Sequence, residues 1–201
     1  MKKLTFKHWI SFIVAGLVGQ FAWTIENMFI NRYIFYTTGS ADLVPWMVAF
    51  SAITATVTTL FMGALSDRLG KRKLFISFGY IIWGVTIIAF GLFNPHQFAF
   101  LQNSLFLTGV LIVIMDCVMT FFGSTANDAA FNAYVTDVTT NDNRAKVESV
   151  LSILPLVSML IIFGLFNGMT VGENPSWFLF YLIFESVSSR MRESAKITKK
   201  S

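Results

Sequence analysis

Long apolar segments alternate with short polar ones along the chain. An α-helix needs about 20 mostly apolar residues to cross roughly 30 Å of hydrocarbon. Five segments meet this requirement, at about 9–29, 43–65, 74–93, 102–138 and 147–166. The fourth is apolar only as far as Phe122, but we expect it to remain helical to its end. The pattern predicts an all-α, polytopic transmembrane helix bundle.

A sixth apolar segment is much shorter than the others. It covers 177–184, too few residues to span a membrane, and a polar, basic stretch follows Glu185. We therefore expect a transmembrane half-bundle over residues 1–185, with a partial sixth helix, and a polar basic tail over 186–201. The basic residues of the tail favour a cytoplasmic location, which requires the sixth helix to cross the membrane. The sixth apolar segment is too short for that crossing, so the two predictions disagree.

Composition agrees with a surface that faces lipid. Charged residues make up 13% of the chain, against about 25% in soluble proteins, and the mean hydropathy is +0.64. Cys117 is the only cysteine, so the chain can form neither an internal disulfide nor a cysteine metal site. We expect no cofactor and no metal. The net charge of +4 does not indicate a nucleic-acid partner, because the basic residues lie at helix ends.

The basic residues predict the orientation of the bundle. Between the first two predicted helices only Arg32 is basic. The opposite side carries Lys2, Lys3, Lys7, Arg68, Lys71, Arg72, Lys73, Arg144 and Lys146. Cytoplasmic loops are enriched in Lys and Arg, so this asymmetry predicts a cytoplasmic amino terminus in the plasma (inner) membrane.

The loop between the second and third helices reads GALSDRLGKRKL from Gly63 to Leu74. Gly63 would let two helices approach closely, and Gly70 would permit a tight turn with positive φ. Asp67 and Arg68 fall where the chain leaves the hydrocarbon, and Arg72 belongs to a basic run suited to anionic headgroups. A generic cytoplasmic connector would have some of these features too.

The spacing of this loop resembles the motif G-x-L-x-D-r-x-G-r-k-x of the major facilitator superfamily. The motif also occurs there between the second and third helices, on the cytoplasmic side. The resemblance implies the amino-terminal six-helix half of such a transporter. It further implies a gating loop of Gly63, Asp67, Arg68, Gly70 and Arg72. In that family, Asp67 would brace the loop against the carboxyl-terminal half, and Arg68 and Arg72 would join its charge network.

A second stretch, from Asp128 to Arg144, resembles the glycoside–pentoside–hexuronide:cation symporter branch of that family. This resemblance implies secondary transport of a small polar solute, such as a sugar, coupled to H⁺ or Na⁺. The abrupt end of apolar sequence after Phe184 suggests a truncated fragment that needs a second half encoded downstream. The alternatives are a half-transporter that dimerises with itself and a membrane scaffold that does not transport.

Polar residues within the first helix form one stripe. Gln20, Thr24, Asn27 and Asn31 recur at helical spacing, and Glu26 lies beside them. Ionisable residues inside a membrane are expensive and are functional candidates by default. The stripe is therefore a candidate cavity wall, with Glu26 as a proton or cation site. The alternative is that Glu26 lies within a turn of the outer interface and reaches water.

The fourth helix has a similar face, formed by Asp116, Thr120, Gly123 and Asn127, with Asp128 beside it. A carboxylate at the bilayer centre costs about 2.5–3.5 kcal/mol, so Asp116 should not face lipid. It would be protonated, paired or bound to a cation, in a coupling role. The alternative is a structural hydrogen bond to Ser51, Thr54 or Thr58. The candidate solute and ion site comprises Gln20, Glu26, Asn27, Asp116, Asn127 and Asp128.

Other residues favour no enzyme. An intramembrane serine protease needs a mid-membrane histidine, and His8 and His96 both fall at helix ends. Near the cytoplasm, Asp128, Asn132 and Asp137 are expected to cap or cross-link the end of the fourth helix with Arg144. The residues Trp9, Trp46, Trp83 and Trp177 are expected mostly at interface belts or facing lipid.

Overall fold

A computed structural model describes residues 4–90 and 104–170. This part of the chain contains five helices long and apolar enough to cross a membrane, and no strand, which confirms the all-α membrane class. The helices are α1 (Phe6–Thr38), α2 (Val44–Leu69), α3 (Arg72–Phe90), α4 (Leu105–Val138) and α5 (Asn141–Phe166). A 3₁₀ turn, Asn167–Met169, follows α5. The predicted sixth helix, 177–184, and the tail, 186–201, lie outside the described residues.

Local capping explains where several helices begin and end. Ser104 accepts a hydrogen bond from the Leu107 N–H and so starts α4. Thr140 and Asn143 form a capping box that starts α5 six residues before the apolar run predicted from sequence. At the end of α1, Gly39 adopts φ 72° and donates its N–H to the Phe35 carbonyl, a left-handed helix ending.

Two of the helices contain π-helical stretches. In α1 the stretch is Ile25–Ile30, and in α4 it is Ser124–Phe131. Each stretch changes the rotational phase of the residues beyond it relative to an ideal α-helix. Glu26, Asn27, Asn127 and Asp128 belong to these stretches, so four of the six candidate site residues lie where the helices are irregular.

The core of the bundle lies between α1, α3 and α4. Trp83 of α3 is 1% exposed and packs edge-on against Trp23, with ring centroids 5.2 Å apart. It also covers Gly123, where an added Cβ would lie 2.7 Å from the indole ring. The expectation of an interface or lipid-facing Trp83 is therefore wrong. A helix with bulky residues on all sides gives no sequence sign of which face is buried.

Packing against α5 completes the contacts of α1. The Thr24 and Ser158 hydroxyl oxygens lie 2.9 Å apart across these two helices. At the far end of α1, the Arg32 guanidinium donates to Asn167 Oδ1 at 3.0 Å and to Thr170 Oγ1 at 2.9 Å. Arg32 therefore holds the end of α5 against α1.

Burial is uneven among the five helices. In its most apolar stretch, α2 has 6% of its residues buried and α5 has 17%, against 39% in α1, α3 and α4. On α2, Leu60 and Phe61 are among the most exposed large apolar side chains. Much of the surface of α2 and α5 is thus left uncovered by the rest of the described chain.

Candidate functional site

Two buried carboxyl groups meet between α1, α2 and α4. Glu26 is 5% exposed and Asp116 is 2% exposed. The Thr120 hydroxyl lies 2.5 Å from Glu26 Oε1, and the Ser51 hydroxyl is hydrogen-bonded to Asp116 Oδ2. Thr120 and Ser51 lie 2.8 Å apart. The four side chains therefore form one continuous chain of oxygens across three helices.

A cavity of about 200 Å³ lies directly over these four side chains. Its walls also include Trp23, Asn27, Asn31, Met47 and Val48. Asn31 and Met47 lie near the 39–43 connection between α1 and α2. The cavity therefore extends from the carboxyl groups toward the end of the bundle opposite the 70–71 loop.

One oxygen of each carboxyl group is left without a partner. Glu26 Oε2 and Asp116 Oδ1 are buried and have no hydrogen-bond partner within the described part of the chain. Buried carboxyl oxygens normally accept hydrogen bonds, so these two atoms are suited to a cation, a proton or a polar solute. The described residues hold no group of three or more His, Cys, Asp or Glu that could bind a metal ion.

The predicted stripe on α1 divides in the structure. Glu26 and Asn27 line the cavity, whereas Gln20 does not, and Thr24 turns toward α5. Beyond Glu26, α1 continues for about three more turns to Thr38. Glu26 is therefore buried well inside the helix rather than within a turn of its end.

The predicted face of α4 also divides. Asp116 lines the cavity, but Asn127 belongs to a second polar cluster against α3 and α1. The Tyr80 hydroxyl lies 3.1 Å from Asn127 Oδ1, and Asn127 Nδ2 donates to Asp128 Oδ1 at 3.0 Å. An added Cβ at Gly19 would lie 2.4 Å from Asn127 Oδ1, so α1 leaves no space there for a side chain.

Sequence reasoning missed part of the site. The sequence predicts Ser51 only as a structural partner for Asp116, and it predicts Thr120 only as a member of the α4 face. Both connect the two carboxyl groups. Trp23 also forms part of the cavity wall. The pattern of hydroxyl residues along α2 was the available sign that this helix faces a polar site.

The loop after α2 has the geometry that its glycine requires. Gly70 adopts φ 60° as predicted, and its N–H donates to the Ser66 carbonyl at 3.0 Å. Arg72 pairs with Asp67 at 2.8 Å and with Asp137 at 2.8 Å. Asp137 therefore pairs with the loop rather than with Arg144, which corrects the sequence-based expectation.

Arg144 still caps the end of α4, by other contacts. Its Nε donates to Thr139 Oγ1 at 3.3 Å, and its Nη2 donates to the Thr136 carbonyl at 3.1 Å.

In the described part of the chain, Gly63 does not lie at the close contact between two helices that was expected from the sequence. An added Cβ there would meet nothing within 4 Å, so Gly63 marks no helix contact in the described residues. Both Asp67 and Arg68 are exposed.

Five apolar helices, buried carboxyl groups between them and this charged loop define a polytopic membrane protein. The family model described as Major Facilitator Superfamily matches residues 11–187, and the chain belongs to that family. No curated protein and no solved structure matches the chain. Membership makes the chain an integral membrane protein of a family that transports small solutes rather than catalysing reactions.

Proposed function

We propose that the chain forms one half of a secondary active transporter that moves a small polar solute together with H⁺ or Na⁺. The supporting observation is the pair of buried carboxyl groups, Glu26 and Asp116, beneath an open cavity. Binding a cation or proton there changes the charge of the cavity wall. The affinity for a solute in the same cavity then depends on that ion, which is the requirement for coupling.

A sugar-like solute fits the chemistry of this wall. The amides of Asn27 and Asn31 can exchange hydrogen bonds with hydroxyl groups, and the Trp23 ring offers an apolar face. The resemblance of residues 128–144 to sugar–cation symporters supports the same class. In that assignment, Asn127 and Asp128 support α4 behind the cavity, and Gln20 lies on α1 outside the cavity wall.

A second helical bundle would complete the transporter. Transporters of this family bind solute between two halves and rock one half against the other. The uncovered faces of α2 and α5 suit such a contact. Exposed Asp67 and Arg68, with Arg72, would then form the gating loop against that second half. A further six-helix half or a second copy of this chain would serve as that second bundle.

The proposed location is the cell membrane with the amino terminus in the cytoplasm. The distribution of Lys and Arg before the 186–201 tail supports this orientation, because nine lie on the side of the 70–71 loop and only Arg32 lies opposite. Cysteines introduced at Asp42 and Lys71 test it with an impermeant thiol reagent on intact cells. Labelling at Asp42→Cys alone agrees with the proposal, and labelling at Lys71→Cys alone contradicts it.

Uptake into proteoliposomes tests the transport function. Radiolabelled sugars and related polar solutes are supplied with an imposed H⁺ or Na⁺ gradient. With the completing second half present, we expect saturable, gradient-driven uptake that Asp116→Asn and Glu26→Gln abolish. Asp42→Asn is the matched control, since Asp42 lies in the exposed 39–43 turn. Uptake that survives both site substitutions would contradict the assignment of the carboxyl pair.

Oligomeric state separates the alternatives. The mass of the purified protein in mild detergent shows whether it is a monomer or a dimer. A dimer that catalyses uptake supports a self-associating half-transporter. A monomer that gives no uptake with any solute or gradient favours a scaffold or an isolated half, and it contradicts transport by this chain alone.

A further inference from the structure

The four oxygens between Glu26 and Asp116 make three consecutive contacts. The distance from Glu26 Oε1 to the Thr120 hydroxyl oxygen is 2.5 Å, and that from the Thr120 to the Ser51 hydroxyl oxygen is 2.8 Å. The Ser51 hydroxyl is in turn hydrogen-bonded to Asp116 Oδ2. Contacts this short between oxygen atoms are hydrogen bonds, and each one needs a hydrogen between its two oxygens. They also leave no room for a metal ion between neighbouring oxygens.

The two hydroxyl groups cannot supply all three hydrogens. Ser51 and Thr120 each carry one hydroxyl hydrogen, and an ionised carboxylate carries none. If both carboxyl groups were ionised, Thr120 would donate to Glu26, Ser51 would donate to Asp116, and the 2.8 Å contact between the hydroxyls would be empty. A third hydrogen on one of the carboxyl groups fills all three contacts.

The surroundings also favour an added proton. The described parts of α2, α3 and α5 present no Lys, Arg or His to the pair, and α1 has none between Trp9 and Asn31. The titratable groups that face the pair are Asp128 and Cys117, both on α4. Two buried negative charges without a positive partner are strongly unfavourable, and one proton removes half of that charge.

We propose that Glu26 and Asp116 hold one shared proton, which moves between them along the hydroxyl groups of Thr120 and Ser51. With the proton on Glu26, its O–H donates to Thr120, Thr120 donates to Ser51, and Ser51 donates to Asp116. Transfer breaks those three O–H bonds and forms three new ones, so that Asp116 becomes the acid. The number of protons and the net charge stay constant.

This inference rests on the proposed function for its meaning in transport, and it makes H⁺ the coupling ion. The proton belongs to the pair rather than to either residue. Because the relay crosses α1, α2 and α4, it is continuous only while these helices stay in contact. A movement of α2 away from α4 would leave the proton on one carboxyl group.

Infrared spectroscopy of the reconstituted protein tests the shared proton directly. A protonated carboxyl group has a C=O stretching band that an ionised one lacks, and exchange into D₂O identifies it. We expect the band in the unaltered protein at neutral pH to correspond to one carboxyl group. The amide introduced by Glu26→Gln or Asp116→Asn can accept with its oxygen or supply the third hydrogen from its NH2 group. Each variant should therefore keep the whole band or lose the whole band, and neither should halve it.

The double variant Glu26→Gln/Asp116→Asn sets the background, which includes any contribution from Asp128. Two independently protonated groups would give the unaltered protein twice the intensity of either single variant, and this result would overturn the proposal. An unaltered protein with no band above the background would overturn it as well. Asp42→Asn, in the exposed turn, serves as a control that should match the unaltered protein.

A substitution of Thr120, one of the two hydroxyl residues between the carboxyl groups, tests the relay. Thr120→Val removes this hydroxyl at nearly constant volume, so the frequency of the band should change, whereas Thr120→Ser should leave it in place. An unchanged band in folded Thr120→Val would overturn the relay. If that variant does not fold, Ser51→Ala provides the same comparison. These spectra need no solute and no gradient, so an absence of uptake would not affect their interpretation.

Discussion

Arg72 lies 2.8 Å from the Asp137 carboxylate and equally close to that of Asp67. One guanidinium group therefore joins the last turns of α2 and α4 to the start of α3. The spacing of the loop motif does not indicate the contact with Asp137. The Arg72 guanidinium therefore connects the loop after α2 to the end of α4.

We expect Asp137→Asn to lower the free energy of unfolding only slightly. The Asp137 side chain is 54% exposed, and exposed ion pairs contribute about 0.2–1 kcal/mol. High salt screens such pairs, so the effect should shrink as salt is raised. Denaturant unfolding in detergent at low and high salt measures it, with exposed Glu148→Gln as the control. A large effect that salt does not change would contradict a surface ion pair.

Gly19→Ala should destabilise the bundle by about 1–3 kcal/mol, the usual cost of overpacking. The added Cβ would lie 2.4 Å from Asn127 Oδ1 and 2.9 Å from the Tyr80 hydroxyl. Thermal unfolding followed by circular dichroism in detergent measures the loss.

Gly63→Ala is the matched control for that substitution. Gly63 also lies inside a helix, but an added Cβ there meets nothing within 4 Å. Because alanine favours helix over glycine, this variant should be unchanged or up to about 1 kcal/mol more stable. Equal destabilisation by the two substitutions would show that steric contact at Gly19 is not the cause.

Arg32→Gln should loosen the end of α5 without unfolding the bundle. The guanidinium group holds Asn167 and Thr170, and nothing deeper in α5 depends on these two bonds. Hydrogen exchange of the backbone amides should become faster near residues 163–170 and stay unchanged near Ser158. Faster exchange along the whole of α5 would indicate a global rather than a local role.

Ser51→Ala should lower gradient-driven uptake by about 10- to 100-fold. A hydrogen bond to a charged group is worth about 1.5–3 kcal/mol, and each 1.4 kcal/mol corresponds to tenfold. Thr56→Ala is the control, because its hydroxyl bonds only to the Ala52 carbonyl on the exposed side of α2. If both variants transported equally well, Ser51 would have no part in coupling.

The bundle itself could be predicted because membrane helices have a simple length requirement. Segments of about 20 apolar residues are visible without knowledge of tertiary contacts. The ends of the helices were harder to predict. Apart from Ile34, residues 31–38 are polar or aromatic. Hydropathy therefore predicts the end of α1 at 29, whereas the helix continues to Thr38.

The site was predicted in part, from the cost of burying charge. That cost singled out Glu26 and Asp116, and the structure brings them together. The expectation that Gln20 and Asn127 line the cavity assumes a constant period of 3.6 residues per helical turn. The π-helical stretches change that period, and nothing in the sequence marked where they would begin.

The cavity wall in the described residues contains carboxyl groups but no Lys, Arg or His. In the proposed transporter, such a wall would discriminate among solutes by their charge as they approach it. Phosphorylated sugars and dicarboxylates would meet electrostatic repulsion as they enter, whereas neutral polyols and cations would not. Under the proposed transport function, this wall favours solutes that are uncharged or positively charged.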